Sequence, residues 1–472
     1  MQKTSDRSKG RGMEQFICLI YFAGFFIMTV TMMLYQPHVD RVSAVPLSPP
    51  DEYFRMLIPK FICEHGTLPT GLEEEVRITG CGFSYGLYNV LPYIIQGYFM
   101  RFVRLFTDAQ SALLYAGRSV NVLFGLLMAW VVYLLGKRIF ADSRFRWLFC
   151  FAVMYLPEGL FVHTYINTDS CCMLSTAVIL YALVCGWQDG FHTKNCVWLS
   201  VGIVLCALSY YNAYGYILCS VFLFVAAFIS REGRLVIDWK NMLRRGILVS
   251  VLVLAGAGWW FVRAYIVLDG DILGLKTKEQ LALLYSLEET SPLNTYQARG
   301  VSIIQMLREN QFFQCLYDSF IAAFGSLSIR GNYWTYLSYK LFFGAGILGW
   351  AVSWMCGRAD RQGQKLRFRQ VFFHLNMFLC ALLPLVVMIR YAYTMDYQHQ
   401  GRYVLPSLIP LMYYTVRGLE RLLKVRIRNA SLPGLLVNLS VASAFFIAVG
   451  SAVYMVFFNA LPIYLEMAAI LP

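Results

Sequence analysis

The sequence predicts an all-α polytopic membrane protein with about eleven transmembrane helices, and three observations carry that prediction. First, 58% of its 472 residues are hydrophobic and only 14% are charged, where a soluble domain carries about a quarter. Its mean hydropathy is +0.55. Second, the apolar residues fall in long runs without the alternation of a strand. Backbone in hydrocarbon must satisfy its own hydrogen bonds, which leaves helices or closed barrels, and unbroken runs select helices. Third, Lys and Arg collect in short clusters between the runs, as cytoplasmic loops require. Those clusters account for the net charge of +13, so nucleic acid is not an expected partner.

The first run, Phe16 to Tyr35, follows the basic segment MQKTSDRSKGRGMEQ. It is longer than the apolar region of a secretory signal and lacks a small-residue cleavage site. It reads as an uncleaved span with its basic flank in the cytoplasm. Residues 36–110 then form the first of two large extracytoplasmic loops. The later part of this loop, GFSYGLYNVLPYIIQGYFMRFVRLF, is apolar and aromatic, yet Pro92, Gln96, Arg101 and Arg104 favour helices lying at the interface. Had residues 88–106 crossed, every later basic cluster would face outward.

Span two (112–136) ends inside at Lys137, Arg138, Arg144 and Arg146. Span three (147–165) runs out, and span four (170–187) returns to Lys194. Spans five and six (196–211 and 215–230) pair around SYYNAYG and end at Arg231, Arg234, Lys240, Arg244 and Arg245. Span seven (246–267) leads to the second extracytoplasmic loop, 268–334, with the polar helix KTKEQLALLYSLEE. Span eight (335–357) returns to Arg358, Arg361, Lys365, Arg367 and Arg369. Span nine (371–391) runs out to the short YTMDYQHQGRY. Span ten (403–416) ends at Arg417, Arg421, Lys424, Arg426 and Arg428, and span eleven (433–457) leaves the C-terminus external. Residues 1–472 thus read as one integral membrane domain of the plasma membrane, N-terminus inside and C-terminus outside.

Most of the thirteen cysteines lie in apolar runs and behave as small hydrophobes. The first loop admits a disulfide between Cys63 and Cys81 as readily as two free thiols. No CxxC pair or Cys/His cluster points to a metal. No cofactor is indicated, and a divalent ion is neither required nor excluded.

The candidate chemistry lies on the expected outer face. Asp51-Glu52 follows the rigid turn Ser48-Pro49-Pro50. Paired carboxylates can act as a general base or hold a cation, and the plainer reading is a solvated loop end. Asn167-Thr168-Asp169 opens span four, where Thr168 suits a helix cap and Asp169 can be both cap and site residue. His399-Gln400-Gly401-Arg402-Tyr403 stands at the mouth of span ten. A guanidinium there can hold a lipid-linked phosphate, or simply snorkel to the interface. Arg118 opens span two, where charge is costly unless paired. Tyr210, Tyr211, Asn212 and Trp334 are either an aromatic belt or a sugar platform.

Taken in order, PPDEYFRMLIPKFICEHGTLP, GRSVNVLFGLLMAWVVYLLGKRIF, YINTDS, SFIAAFGSLSIRGNYW and QGRYVLPSLIPL resemble the motifs of the GT-C superfamily of membrane glycosyltransferases. They look most like its bacterial DUF2142 branch. One departure stands out: that branch often has a histidine about three residues after the Asp-Glu, where this chain has Phe54 and Arg55. The resemblance implies a GT-C-like fold and transfer of a sugar from a polyprenyl-phosphate donor to an acceptor hydroxyl on a glycan or lipid. It implies Asp51 as base, with Glu52 sharing that role or positioning the acceptor. Arg402 would hold the donor phosphate with His399 and Tyr403, Asp169 would orient the sugar or Arg402, and Arg118 would join the substrate-binding set. Direct displacement with inversion is the expected course. Competing readings are a lipid-linked glycan flippase or transporter, and a polysaccharide polymerase or ligase. Transporters tend to carry internal repeats and charged or broken mid-membrane helices, which this sequence does not display.

Overall fold

The computed structural model describes residues 2–38, 47–88, 90–232, 234–355, 364–424, 426–427, 430–431 and 433–470. Arg358, Arg361 and Arg428 of the basic clusters lie outside the described residues, as do positions 39–46 of the first loop.

The chain is helical almost throughout. In order come α1 (Gln2–Tyr35), α2 (Glu52–His65), α3 (Leu91–Arg104), α4 (Gln110–Ile139), α5 (Ser143–Met154), α6 (Pro157–Phe161) and α7 (Asp169–Asp189). Next are α8 (Thr193–Ala207), α9 (Gly215–Ala227), α10 (Trp239–Val267), α11 (Leu275–Tyr285), α12 (Ile303–Arg308) and α13 (Phe312–Ile321). After these come α14 (Phe324–Leu327), α15 (Tyr333–Met355), α16 (Gln364–Thr394), α17 (Leu408–Leu423), α18 (Gly434–Val453) and α19 (Leu461–Ile470). Among the described residues, 6 helical stretches are long and apolar enough to cross a membrane: Gly12–Tyr35, Gln110–Ile139, Asp169–Asp189, Trp239–Val267, Arg369–Thr394 and Gly434–Ala469.

The other expected spans differ for local reasons. Span three is broken where Pro157 removes a backbone donor, leaving α5 and the short α6. Spans five and six are helices of 15 and 13 residues. Span ten starts as a 3-10 turn, Gly401–Ser407, before α17. The last span runs on through a π-helical stretch at Tyr454–Ala460 into α19. Helices α2 and α3, within the expected first loop, have 14 residues each, fewer than the roughly 20 that cross a bilayer.

Close packing follows the rules for apolar surroundings, where small residues let backbones approach. Helices α15 and α17 touch through Gly346, Gly349 and Gly418, where an added Cβ would strike the facing backbone. Large apolar side chains such as Ile247, Leu254, Ile266, Phe446 and Phe458 are exposed on α10 and the last span. A hydrocarbon surround suits such a surface; water does not.

At one end Arg146 pairs with Glu14, Arg138 with Asp189, and Lys424 with Asp142 and Glu420. At the other end the two long polar segments dock on each other. The start of α11 at Gly274 abuts Leu87, its C-terminal end abuts Gly82, and Leu287 N–H donates to the Gly80 carbonyl at 2.9 Å.

Candidate functional site

The site forms at that second end, where the N-termini of α2, α4 and α7 meet the turn preceding α17. A turn at Pro49-Pro50, in which Glu52 N–H donates to the Pro49 carbonyl at 3.4 Å, leads to Asp51, which takes a left-handed conformation (φ 61°) at the N-cap position of α2. A non-glycine residue there is strained by on the order of 1 kcal/mol. An Asp at this position normally caps the helix, but the Asp51 side chain makes no capping hydrogen bond. Its Oδ2 instead accepts from Arg402 Nη2 at 2.5 Å.

Arg402 is 3% exposed, whereas 34% of the Asp51 side chain remains open. Arg402 Nη2 also donates to the Tyr403 hydroxyl at 3.0 Å, and Nη1 to the Pro50 carbonyl at 3.5 Å. Its Nε is buried without a hydrogen-bond partner. Burial pushes the Asp51 carboxyl upward, but the charges of Arg402 and then Arg55 outweigh it and hold the group below the usual carboxylate range. Arg402 is seated by Gly401, whose N–H donates to Ser319 Oγ at 2.7 Å on α13. A Cβ at Gly401 would overlap the Phe320 backbone, so only glycine lets the two segments touch.

Arg55 stands one turn along α2 from Asp51 and is 3% exposed. It donates to Thr168 Oγ1 at 3.1 Å and to the Tyr93 hydroxyl at 3.4 Å. Its Nη2 lies 4.0 Å from Asp169 Oδ2, and its guanidinium lies over the Tyr85 ring at 4.9 Å. Arg55 Nε and Asp169 Oδ2 both lack hydrogen-bond partners. Sequence reasoning noted Arg55 only as a departure from a motif. The available signal was a basic residue close to the Asp51-Glu52 pair, four positions on from Asp51.

The N-terminus of α7 differs from expectation. Thr168 occupies the N-cap position but makes no capping bond, because its hydroxyl serves Arg55. Asn167 caps instead, its Oδ1 accepting from Ser170 N–H at 3.0 Å. Thr168 and Asp169 are thereby both turned toward α2.

Glu52 and Arg118 form a separate unit. Arg118 Nε and Nη2 donate to the two Glu52 oxygens at 2.8 and 2.5 Å. The remaining Arg118 donors reach the carbonyls of Met33, Gln36 and Pro37. Glu52 Oε1 also accepts from Ile166 N–H at 2.9 Å. Arg118 is 0% and Glu52 2% exposed. Burial raises the Glu52 carboxyl, yet Arg118 and His38 bring it down to about 2. The pair ties the end of α1 to α2, α4 and the turn before α7, and no Arg118 donor is left over.

His399 packs on Tyr397 and Phe312 and makes no hydrogen bond or ion pair with Asp51, Arg55, Asp169 or Arg402. Burial, and then the charge of Arg330, hold its imidazole below the usual range. It therefore stands apart from the Asp51, Arg402 and Arg55 contacts described above. Tyr403 is at the site, through the Arg402 contact and a Tyr210 ring at 6.5 Å. Asn212 donates to the Tyr403 carbonyl at 3.4 Å. Trp334 is 71% exposed, away from this cluster. Cys63 and Cys81 are free thiols.

Among the described residues, no three His, Cys, Asp or Glu side chains converge to hold a metal ion. Asp51 pairs with the Arg402 guanidinium, and Asp169 faces that of Arg55 at 4.0 Å.

No protein-family model matches the chain, and no curated protein matches it. Solved structures do. The apo oligosaccharyltransferase of Archaeoglobus fulgidus aligns with TM-score 0.53 and 13% identity over 94% of this chain. The oligosaccharyltransferase AglB of the same organism, solved with an inhibitory peptide and a dolichol-phosphate, aligns with TM-score 0.51 and 14% identity over 92%. A form tethered to an acceptor peptide containing the NVT sequon aligns with TM-score 0.50 and 12% identity over 94%. The chain spans only 55–56% of the length of these proteins. At this identity the likeness establishes a shared fold with these oligosaccharyltransferases and no more.

Proposed function

We propose that this protein is a GT-C-type membrane glycosyltransferase that moves a sugar from a polyprenyl-phosphate donor to an extracytoplasmic acceptor hydroxyl. The observation that carries this reading is the Asp51–Arg402 pair: a partly open carboxylate against a buried guanidinium, at the helix mouths of a GT-C fold. The narrower likeness to the bacterial DUF2142 branch rests on the sequence motifs. The Lys and Arg clusters between the apolar runs support an orientation with those loops in the cytoplasm and the site outside, in the plasma membrane.

In this reading Arg402 and Arg55 hold the donor phosphate, since fixed forked cations suit phosphate oxygens in a water-poor site. The acceptor oxygen bonds to the anomeric carbon as the carbon–phosphate-oxygen bond breaks. The acceptor proton passes to Asp51, and polyprenyl phosphate leaves with the bonding electrons. Displacement from the opposite face gives inversion. When phosphate draws Arg402 away from Asp51, the carboxylate loses its nearest cation and becomes a stronger base, which couples donor binding to acceptor activation. Asp169 and Thr168 keep Arg55 in place. Glu52 and Arg118 brace the scaffold and touch neither substrate.

The test is transfer by the full chain in nanodiscs, from short-chain polyprenyl-phosphate sugars to an acceptor glycan or lipid. Turnover that Asp51→Asn abolishes supports the reading. Full turnover in that variant removes Asp51 as the base. Movement of the intact donor across a vesicle bilayer without transfer favours the flippase alternative, and addition of a whole chain favours the polymerase or ligase.

A further inference from the structure

Lys278 is a buried cation that the proposed transfer does not use. It lies on α11 with 8% of its surface exposed. Its ammonium donates no hydrogen bond and forms no ion pair to any described residue. It rests instead against the rings of Phe83 at 4.4 Å, Tyr88 at 5.3 Å and Tyr391 at 5.5 Å. A buried ammonium without a partner is costly, and the ring faces offset only part of that cost. Burial lowers this amine to about 8 against the opposing pull of Asp396 and Cys81.

Two chains of rings lead from Lys278 to the site. Tyr391 lies 6.5 Å from Tyr403, which accepts from Arg402. Tyr88 lies 6.3 Å from Tyr85, which stacks on Arg55. The docking of the two long polar segments through Gly82 and Gly274 is what carries Lys278 there.

We propose that Lys278 binds a second anionic group of the substrate, at a distance from the phosphate held by Arg402 and Arg55. This rests on the transferase reading above. Two sources share that chemistry: the second phosphate of a diphosphate-linked donor, or an acidic group on the sugar.

The experiment measures binding of four probes to the full chain in nanodiscs: farnesyl phosphate, farnesyl diphosphate, farnesyl-phosphoryl-glucose and farnesyl-phosphoryl-glucuronate. Lys278→Met keeps the apolar stem and Lys278→Arg keeps the charge. The expected result is that one doubly anionic probe binds about tenfold or more tighter than its singly anionic counterpart. Lys278→Met erases that preference and leaves the singly anionic affinity unchanged, and Lys278→Arg retains it. A preference for the diphosphate assigns the second phosphate, and a preference for the glucuronate assigns the sugar. No preference in the unmodified protein, or one that survives Lys278→Met, overturns the proposal. If farnesyl phosphate binds and Arg402→Ala weakens it, such a failure falls on Lys278 alone. If farnesyl phosphate does not bind at all, the transferase reading fails with it.

Discussion

Asp51 and Arg402 are 351 positions apart in sequence, yet their side chains meet at 2.5 Å. Asp51 reaches Arg402 only because a left-handed backbone turns its carboxylate away from the helix it begins. Arg402 reaches Asp51 only because Gly401 lets its segment lie against the α13 backbone.

Asp51→Asn keeps the shape and tolerates the left-handed backbone. Removal of a general base lowers kcat by about 10²–10⁴-fold. Steady-state kinetics in nanodiscs check this, and a loss confined to KM would argue for a binding role instead.

The pH profile follows from the depressed Asp51 carboxyl. The group is ionised above its folded value, so base function is present at neutral pH and is lost only as pH falls through that value. The acidic limb of kcat/KM should therefore lie below the ordinary Asp value of about 4. Arg402→Ala removes the charge that depresses it, so the limb should move to higher pH while donor KM rises. An unmoved limb would detach the titration from Asp51.

Glu52 and Arg118 should matter for stability instead of chemistry. Glu52→Gln leaves a buried guanidinium uncompensated, a loss of about 3–5 kcal/mol. Thermal unfolding should register it, while kcat per folded molecule stays near that of the parent. In the parent, the Glu52 carboxyl falls from its ordinary value to about 2 on folding. That stabilisation is complete above the unfolded value and is lost as pH drops toward 2, amounting to about 3 kcal/mol. Glu52→Gln should flatten this dependence.

Gly401→Ala places a methyl group against the Phe320 backbone and must shift the segment that carries Arg402. Donor KM should rise about as much as in Arg402→Ala, although residue 401 touches no substrate. Unchanged donor affinity would show that the turn yields without displacing the guanidinium.

Orientation has its own test. Cysteines introduced as Glu75→Cys and Gln280→Cys, on the two segments that dock together, should both take a membrane-impermeant maleimide in intact cells. Labelling of only one would mean that the segments lie on different sides.

The sequence by itself determined the solvent of this chain and the order of its helices. Run length and the spacing of basic clusters are local properties, legible without a fold. It also pointed to Asp51, Asp169, Arg402 and Tyr403, because short polar phrases between apolar runs are conspicuous. The tertiary structure decided how those residues are used. Asp51 and Glu52 are adjacent and chemically alike, yet one faces Arg402 in the open and the other is locked on Arg118. The left-handed backbone at Asp51 turns its carboxylate toward Arg402, while Glu52, the first helical residue, points to Arg118. Arg55 and Lys278 were hidden for the same reason: their neighbours in space come from distant segments. Burial by those segments separates these two cations from the many that sit in solvent.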